Sequence, residues 1–258
     1  GQALRLTLML KALLWDVDGT LAETERDGHR VAFNLAFAEA GLNWGWTEQH
    51  YAELLHVTGG RERILAYMVT RPDAPASQQH KHALARQLHL RKNQHYAALV
   101  AEGRILARPG VVALIREAAA AGLVQAIVTT TSRSNVQALL PTLLGPHWAA
   151  CFSAVLCGED TERKKPDPEV YTLALQRLGL APHEALAIED STPGAKAAHA
   201  AGLPLVLRPS VYFPAQAVPA GLAAVLCTAE DHFDLAQLRE WHGRRAHAAG
   251  WAGVQRGV

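Results

Sequence analysis

Residues 10–20 read LKALLWDVDGT. Residues 10–15 are short and mostly apolar, and a polar segment follows at once, so we predict a buried strand that ends at Asp16. Side chains two positions apart on an extended segment point to the same side, so the carboxylates of Asp16 and Asp18 are expected to face one site. Open parallel sheets bind ligands beyond the carboxyl ends of their strands, where this segment lies. An acidic turn with a glycine is the alternative interpretation.

The rest of the chain alternates short apolar segments with helical patterns. The further segments that are apolar on both faces are residues 123–128, 154–156, 185–188 and 205–207. Helical patterns accompany them at residues 111–121, 168–178 and 193–201. Short strands that are apolar throughout and joined by helices indicate a parallel sheet covered on both sides. We therefore predict an α/β fold with a Rossmann-like, doubly wound parallel sheet.

An all-helical segment interrupts this alternation. From Thr47 to Val100 the sequence shows helical patterns and no strand candidate. The predicted helices of this part of the chain lie at residues 29–42, from Thr47, and at residues 61–69 and 77–100. We expect residues 1–22 and 106–258 to form an α/β catalytic core. Residues 23–105 would form a small helical cap domain inserted after the first strand.

Composition limits the class of protein. The formal net charge of +1, from 25 basic and 24 acidic side chains, gives no reason to expect nucleic acid or an anionic membrane as partner. No segment has the roughly 18 consecutive apolar residues of a membrane span. Residues 1–9 are expected to be an irregular leader, because Arg5 and Lys11 interrupt the apolar run that a signal peptide would need. Three cysteines cannot all pair, which favours a reducing compartment; we expect a cytoplasmic monomer.

Three later segments carry groups suited to phosphate or metal chemistry. Residues 128–132, VTTTS, end a strand in hydroxyls that can donate to a phosphate, although β-branched strand composition alone explains them as well. Lys165 lies in a charged segment just before a proline-started helix; a solvated loop is the alternative. Glu189 and Asp190 directly follow a buried strand, and the alternative is an acidic pair at a helix N-terminus.

Taken in order, DVDGT, the hydroxyl-ended strand, KKPDP at 164–168 and IEDS at 188–191 resemble the four signature motifs of the haloacid dehalogenase superfamily. The resemblance implies a phosphatase with Asp16 as nucleophile and Asp18 as acid/base. The phosphate ligands that it implies are Thr130, Thr131 and Lys165. It also implies Mg²⁺, held by Asp16, the backbone carbonyl of Asp18 and Asp190, with Glu189 in direct or water-linked support. The dehalogenases of this superfamily lack the second aspartate, so Asp18 favours phosphoryl transfer.

Elementary chemistry agrees with these roles. A carboxylate with a reference pKa of about 4 is ionised at neutral pH and can attack phosphorus. Its repulsion from an anionic phosphate must be cancelled, which Mg²⁺ and Lys165 would do. Asp18 could protonate the leaving alkoxide and then deprotonate the water that cleaves the aspartyl phosphate.

Further segments resemble the CbbY-type subgroup of Calvin-cycle gene sets: LAETE at 21–25, TGGRER at 58–63 and SRSN at 132–135. This resemblance implies a sugar bisphosphate substrate, with xylulose 1,5-bisphosphate the leading candidate. Glycines let the backbone approach an anion at a helix start, so Gly60, Arg61 and Arg63 are candidates for binding a second phosphate. Solvated arginines at a helix N-terminus are the alternative. Glu23 lies near enough to the site to accept hydrogen bonds from sugar hydroxyls. His29 is a weaker candidate for a ligand.

Rival functions share most of these residues. A β-phosphoglucomutase-type isomerase carries the same four motifs and differs mainly in how slowly water reaches the aspartyl phosphate. A phosphatase of another small metabolite, such as phosphoglycolate, is a second alternative. A non-catalytic binding protein is disfavoured, because Asp16, Asp18 and Asp190 are all present.

Overall fold

The computed structural model describes residues 9–213, 225–228, 232–247 and 255–256. The expected leader falls outside the described residues except for Met9, which is exposed. Of the tail beyond residue 239, residues up to 247 belong to a helix, and residues 255–256 form a two-residue strand.

The described strands form one parallel sheet in the order β3-β2-β1-β4-β5-β6-β7. They are β1 (Ala12–Trp15), β2 (Val124–Val128), β3 (Ala154–Leu156), β4 (Ala185–Glu189), β5 (Leu205–Leu207), β6 (Val225–Leu226) and β7 (Gln255–Arg256). Successive strands are added first on one side of β1 and then on the other. Beside β1 the sheet therefore has the switch point at which open α/β sheets bind ligands. The predicted parallel sheet is confirmed.

Between β1 and residue 105 the described regular elements are all helices. They are α1 (Arg30–Glu39), α2 (Glu48–Leu54), α3 (Gly60–Val69) and α4 (Gln78–Ala101), and a π-helical turn at Glu25–His29 leads into α1. Thr47 and Ser77 cap α2 and α4, each accepting a hydrogen bond from a backbone N–H three residues on. These helices surround an aromatic cluster centred on Phe33, Phe37 and Trp46. The division into core and cap domains remains a prediction.

The helices of the sheet region are α5 (Val111–Ala120), α6 (Arg133–Leu144), α7 (Glu169–Leu178), α8 (Thr192–Ala200) and α9 (Leu235–His247). Helix α6 has no counterpart among the sequence predictions. Its first residues are polar and loop-like, and Pro141 lies in its interior. Burial of Val136, Leu139 and Leu140 outweighs that weak local preference. Among the described helices, none has the length and apolar run needed to cross a membrane.

Different helices cover the two faces of the sheet. Leu13 and Trp15 of β1 pack on one side with residues of α5, α6 and α9. Ala12 and Leu14 pack on the other side with residues of α7 and α8. Alternate residues of one strand thus enter two cores, which explains why the strands are apolar on both faces and confirms the doubly wound architecture.

Candidate active site

Three strand ends meet at the carboxyl edge of the sheet. Trp15, the last residue of β1, lies opposite Ile127 of β2 and Ile188 of β4. Asp16 follows immediately, and its backbone N–H donates to the Ile188 carbonyl at 3.1 Å. The Thr20 hydroxyl donates to the Asp16 carboxylate at 2.8 Å and so fixes its orientation. The register of the sheet therefore determines where this carboxylate lies.

Lys165 connects the three strand ends. Its ammonium group donates to Asp16 Oδ1 at 3.0 Å, to Glu189 Oε1 at 2.7 Å and to the carbonyl oxygen of Val128 at 2.8 Å. The side chain is buried. Burial alone would lower the pKa of Lys165, but the carboxylates of Asp16 and Glu189 raise it above its ordinary value. Lys165 is therefore a permanent cation beside Asp16.

Three carboxylates crowd around that cation. One oxygen from each of Asp16, Glu189 and Asp190 lies within 4.8 Å of the others. Burial and the Asp16 carboxylate raise the pKa of Glu189 to about 7, and they raise the pKa of Asp190 well above its ordinary value. Glu189 Oε2 is buried and has no hydrogen-bond partner among the described residues. A group of oxygen ligands with this surplus of negative charge fits a hard divalent cation.

Two glycines leave room for these carboxylates. A Cβ atom on Gly19 would lie 2.1 Å from Asp190 Oδ2, and the φ of +80° at Gly19 is one that other residues rarely adopt. A Cβ atom on Gly194 would lie 2.0 Å from Glu189 Oε2. Side chains at either position would displace an acid of the cluster.

Asp18 faces the same cavity from the side of the helical segment. Its Oδ1 accepts a hydrogen bond from the Thr24 hydroxyl and lies 2.8 Å from His29 Nε2. The His29 ring is buried and stacks on Tyr96, with 4.1 Å between ring centroids. Burial would raise the pKa of Asp18, but His29, Thr24 and Lys92 lower it to about 2. Asp18 is thus a carboxylate in this geometry.

A cavity of about 80 Å³ joins these groups. It is lined by the predicted residues Asp16, Asp18, Gly60, Arg63, Thr130, Thr131, Lys165, Glu189 and Asp190, and by His29. Leu55 and Phe213 supply apolar lining. The structure therefore brings together most of the residues predicted from sequence, although their catalytic roles remain predictions.

Arg61 and Arg63 diverge. Arg63 is buried, with its guanidinium 5.5 Å from the Tyr51 ring centroid and its Nε donating to the Leu54 carbonyl at 3.3 Å. Arg61 is exposed and lines a second, adjoining cavity of about 360 Å³. Gly60, His89, Thr130 and Ser132 line both cavities. Residues two apart on a helix do not share a face, which explains the divergence.

Glu23 does not line either of these cavities. Its carboxylate lies 3.7 Å from Arg108 Nε and near the Val211 backbone. Burial raises the pKa of Glu23, although Arg108 opposes that rise. Glu25 lines the catalytic cavity instead and accepts a hydrogen bond from the Tyr51 hydroxyl. The π-helical turn that starts at Glu25 sets this orientation; a substrate-binding role for Glu23 remains a prediction.

Lys92 is a cavity residue that the sequence predictions omit. It is 2% exposed, and its ammonium lies 4.6 Å from the Phe33 ring centroid. Burial lowers the pKa of Lys92 to about 7. Its position was foreseeable, because Lys92 lies four residues from Leu88 and from Tyr96, both on the buried face of α4.

Comparisons with known proteins place this site in a family. The model of the haloacid dehalogenase-like hydrolases matches residues 10–202. The chain belongs to this family. It is 41% identical to the plasmid-encoded protein CbbY of Cupriavidus necator, over 90% of this chain and 97% of that protein. CbbY of Rhodobacter capsulatus is 45% identical over 79% of this chain and 87% of its own length.

A solved structure agrees with these relatives. CbbY from Rhodobacter sphaeroides in complex with xylulose 1,5-bisphosphate matches with a TM-score of 0.74 and 42% identity, over 80% of this chain and 88% of that one. The resemblance to CbbY-type proteins is therefore confirmed, as is the phosphatase class of the enzyme.

Replacing Lys165 with methionine should destabilise the protein by about 3–5 kcal/mol near neutral pH, because Asp16 and Glu189 would remain buried without their cation. Burial and repulsion from Asp16 already raise the folded-state pKa of Glu189, and loss of the cation would raise it further above its unfolded value. The stability that the substitution removes should therefore return as the pH falls and disappear again as the pH rises. Urea unfolding in EDTA at about pH 8 and about pH 5.5 measures both effects.

Lys11→Met is the matched control. Lys11 pairs with Glu184 at 2.9 Å on the surface, with its side chain 47% exposed, and its loss should cost less than about 1 kcal/mol at either pH. Equal stability of Lys165→Met and the wild type at both pH values would contradict the electrostatic role of Lys165.

Proposed function

We propose that this protein is a Mg²⁺-dependent phosphatase that hydrolyses a sugar bisphosphate through an aspartyl-phosphate intermediate. The observation that carries the proposal is the position of Asp16, hydrogen-bonded to Lys165, in a cavity that adjoins a second, cation-lined one. The likeness to CbbY of Rhodobacter sphaeroides, solved with xylulose 1,5-bisphosphate, supports that compound as the substrate. A role in the Calvin cycle, by removal of a Rubisco inhibitor, follows from this choice.

Asp16 acts as the nucleophile. A carboxylate oxygen of Asp16 attacks phosphorus, the bond from phosphorus to the sugar oxygen breaks, and Lys165 balances charge on the phosphoryl oxygens. Thr130 and Thr131, which line the cavity at the end of β2, donate hydrogen bonds to the same oxygens. Water then attacks the aspartyl phosphate and releases inorganic phosphate, which restores the Asp16 carboxylate.

Asp18 moves the protons of both steps. It protonates the sugar oxygen as that oxygen leaves and later removes a proton from the attacking water. With His29 and Thr24 bound to it, Asp18 is ionised and cannot be an acid. The negative charge of an arriving phosphate raises the pKa of a neighbouring carboxylate, so substrate binding favours the protonated form.

Mg²⁺ would be held by Asp16, Asp190 and the backbone carbonyl of Asp18, with Glu189 in support. When bound, it supplies electrostatic stabilisation of charge on the phosphoryl oxygens. The surplus negative charge of the acid cluster and the unpartnered Glu189 Oε2 support this assignment.

The second phosphate enters the adjoining cavity. Its cationic lining comes from Arg61, Arg86 and Lys164, and the hydroxyls of Ser132 and Ser134 add donors. Glu62 and Glu159 also line it, so the phosphate competes with these local acids for the arginines. Arg61 is the candidate ligand, whereas Arg63 is held by the aromatic cluster and shapes the helical segment.

Residues 23–105 act as a cap domain that selects the substrate. They contribute Glu25, Arg63 and Lys92 to the catalytic cavity and Arg61 to the second cavity. Core residues contribute the acids and Lys165. Neither part alone holds both ends of a bisphosphate. A monomeric, cytoplasmic enzyme remains our expectation.

A phosphate-release screen tests the substrate. Xylulose 1,5-bisphosphate should give a higher kcat/KM than xylulose 5-phosphate, phosphoglycolate or β-glucose 1-phosphate, and EDTA should abolish release. Analysis of the products separates the alternatives, because a mutase would convert β-glucose 1-phosphate into the 6-phosphate with little free phosphate. A preference for any monophosphate would refute the bisphosphate assignment.

Asp16→Asn should remove turnover to below about a thousandth of the wild-type rate, since no other described side chain replaces the nucleophile. Asp18→Asn should instead slow formation of the phosphoenzyme by about 10²–10⁴-fold with sugar substrates and much less with an aryl phosphate, whose good leaving group needs no acid in that step. Rapid-quench detection of the acid-stable phosphoenzyme separates the two, because only Asp18→Asn should form it. Residual turnover of a few per cent by Asp16→Asn would identify a different nucleophile.

Arg61→Ala should lower kcat/KM for xylulose 1,5-bisphosphate by about ten- to a hundredfold, the effect of one lost charged hydrogen bond. The same variant should hydrolyse an aryl phosphate normally, since that substrate has no second phosphate. Arg63→Ala should instead lower the melting temperature and affect both substrates. Arg91→Ala, an exposed change on α4, is the control. Equal losses on both substrates for Arg61→Ala would exclude Arg61 from recognition of the second phosphate.

A further inference from the structure

The segment 210–213 leaves β5 and packs into the aromatic cluster of the helical segment. Phe213 is 6% exposed and belongs to that cluster. Among the described residues, the other buried members all lie between positions 33 and 88. Tyr212 packs against the same cluster. One loop of the sheet region thus supplies side chains to the interior of the cap.

Ring contacts define the geometry. The Phe213 ring meets His56 edge-on, with 5.6 Å between centroids, and Tyr212 meets Tyr51 edge-on at 6.0 Å. Phe213 also lines the catalytic cavity beside Leu55. Val211, in the same segment, is 64% exposed and makes no ring contact. The segment therefore touches the cap through two adjacent aromatic residues.

The base of this segment is tied to the catalytic loops. Arg108 donates to the carbonyl oxygens of Gly19 at 2.6 Å, Arg208 at 3.1 Å and Pro209 at 2.9 Å. The backbone N–H of Arg208 donates to the Glu189 carbonyl at 2.9 Å. The loop after β5 is consequently fixed to the loop after β1 and to the end of β4.

Two further residues of the segment lie beside the acid cluster and the start of the helical segment. A Cβ atom on Gly19 would lie 2.1 Å from Asp190 Oδ2 and 3.0 Å from Ser210 Cβ, so Ser210 lies next to Asp190 at this glycine. The Val211 backbone lies near the Glu23 carboxylate, at the point where the chain enters the helical segment. Glu23 therefore has a structural partner that its predicted role as a sugar ligand did not foresee.

We propose that residues 210–213 are a latch that holds the cap over Asp16, with Tyr212 and Phe213 as positioning residues for the reaction. The latch makes cap closure and the alignment of the Gly19 and Asp190 loops one event, because a single short segment contacts both. The kinetic test of this latch rests on the bisphosphatase function proposed above. The hydrogen-exchange test of the latch does not depend on that function.

Full burial of a phenylalanine side chain shifts an equilibrium by about ten- to a hundredfold. Phe213→Ala should therefore raise KM for xylulose 1,5-bisphosphate at least about tenfold, since that substrate needs the closed cap. Activity on a small aryl phosphate should fall less than activity on the bisphosphate, because the aryl phosphate has no second phosphate for a closed cap to hold. Phe213→Leu should restore most of the loss, and Val211→Ala should behave as the wild type.

Amide hydrogen exchange gives the second readout. With Mg²⁺ and inorganic phosphate bound, residues 48–69 should exchange faster in Phe213→Ala than in the wild type or Val211→Ala. A double-mutant cycle of Phe213→Ala with His56→Ala should be non-additive in KM, because each change removes the same contact.

The outcomes separate this proposal from the proposed substrate. If the wild type does not hydrolyse xylulose 1,5-bisphosphate, the substrate assignment is wrong, and the exchange measurement then tests the latch proposal by itself. Unchanged exchange in Phe213→Ala overturns the latch. So does an equal loss on both substrates with a lowered melting temperature, which would make Phe213 a packing residue only.

Discussion

The ammonium of Lys165 lies between the carboxylates of Asp16 and Glu189, out of reach of bulk water. Two charges of one sign cannot be buried together without a cation, so the position of Lys165 constrains every loop at this edge of the sheet. The Val128 carbonyl holds the third ammonium proton, and the Tyr171 hydroxyl donates to the same Glu189 oxygen. The acids are consequently presented at fixed places before any ligand arrives.

The two parts of the chain line the cavity with different charges. The sheet region contributes Lys165 and the acid cluster, and the helical segment contributes the cations Arg63 and Lys92 together with the acid Glu25. Burial of the ring and, to a smaller extent, the surrounding cations lower the pKa of His89 to about 3. The sites that we propose for the two phosphates follow this arrangement, because the reacting phosphate would lie beside Lys165 and the acid cluster and the second phosphate in the adjoining cavity near Arg61.

The sequence was informative where local pattern and chemistry coincide. Short apolar strands followed by Asp16, by Thr130 or by Glu189 identify the site, because parallel strands end at one edge. Side-chain direction was less predictable. Glu25 faces the cavity and Glu23 faces Arg108 because of a π-helical turn that has no sequence signature. Helix α6 depends on long-range burial, and the contact of Phe213 with the cap joins segments far apart along the chain.

Helix α4 packs in two hydrophobic clusters and so connects the helical segment to the sheet region. Tyr96 and Val100, near its C-terminal end, pack in the core beside the sheet, whereas Ala85 and Leu88 pack in the aromatic cluster of the cap. Lys92 lies midway, and burial lowers its pKa to about 7. Burial disfavours the charged form of Lys92, whose ammonium lies 4.6 Å from the Phe33 ring centroid and 5.6 Å from that of Tyr96. An anionic substrate beside Lys92 would offset the cost of burying this charge.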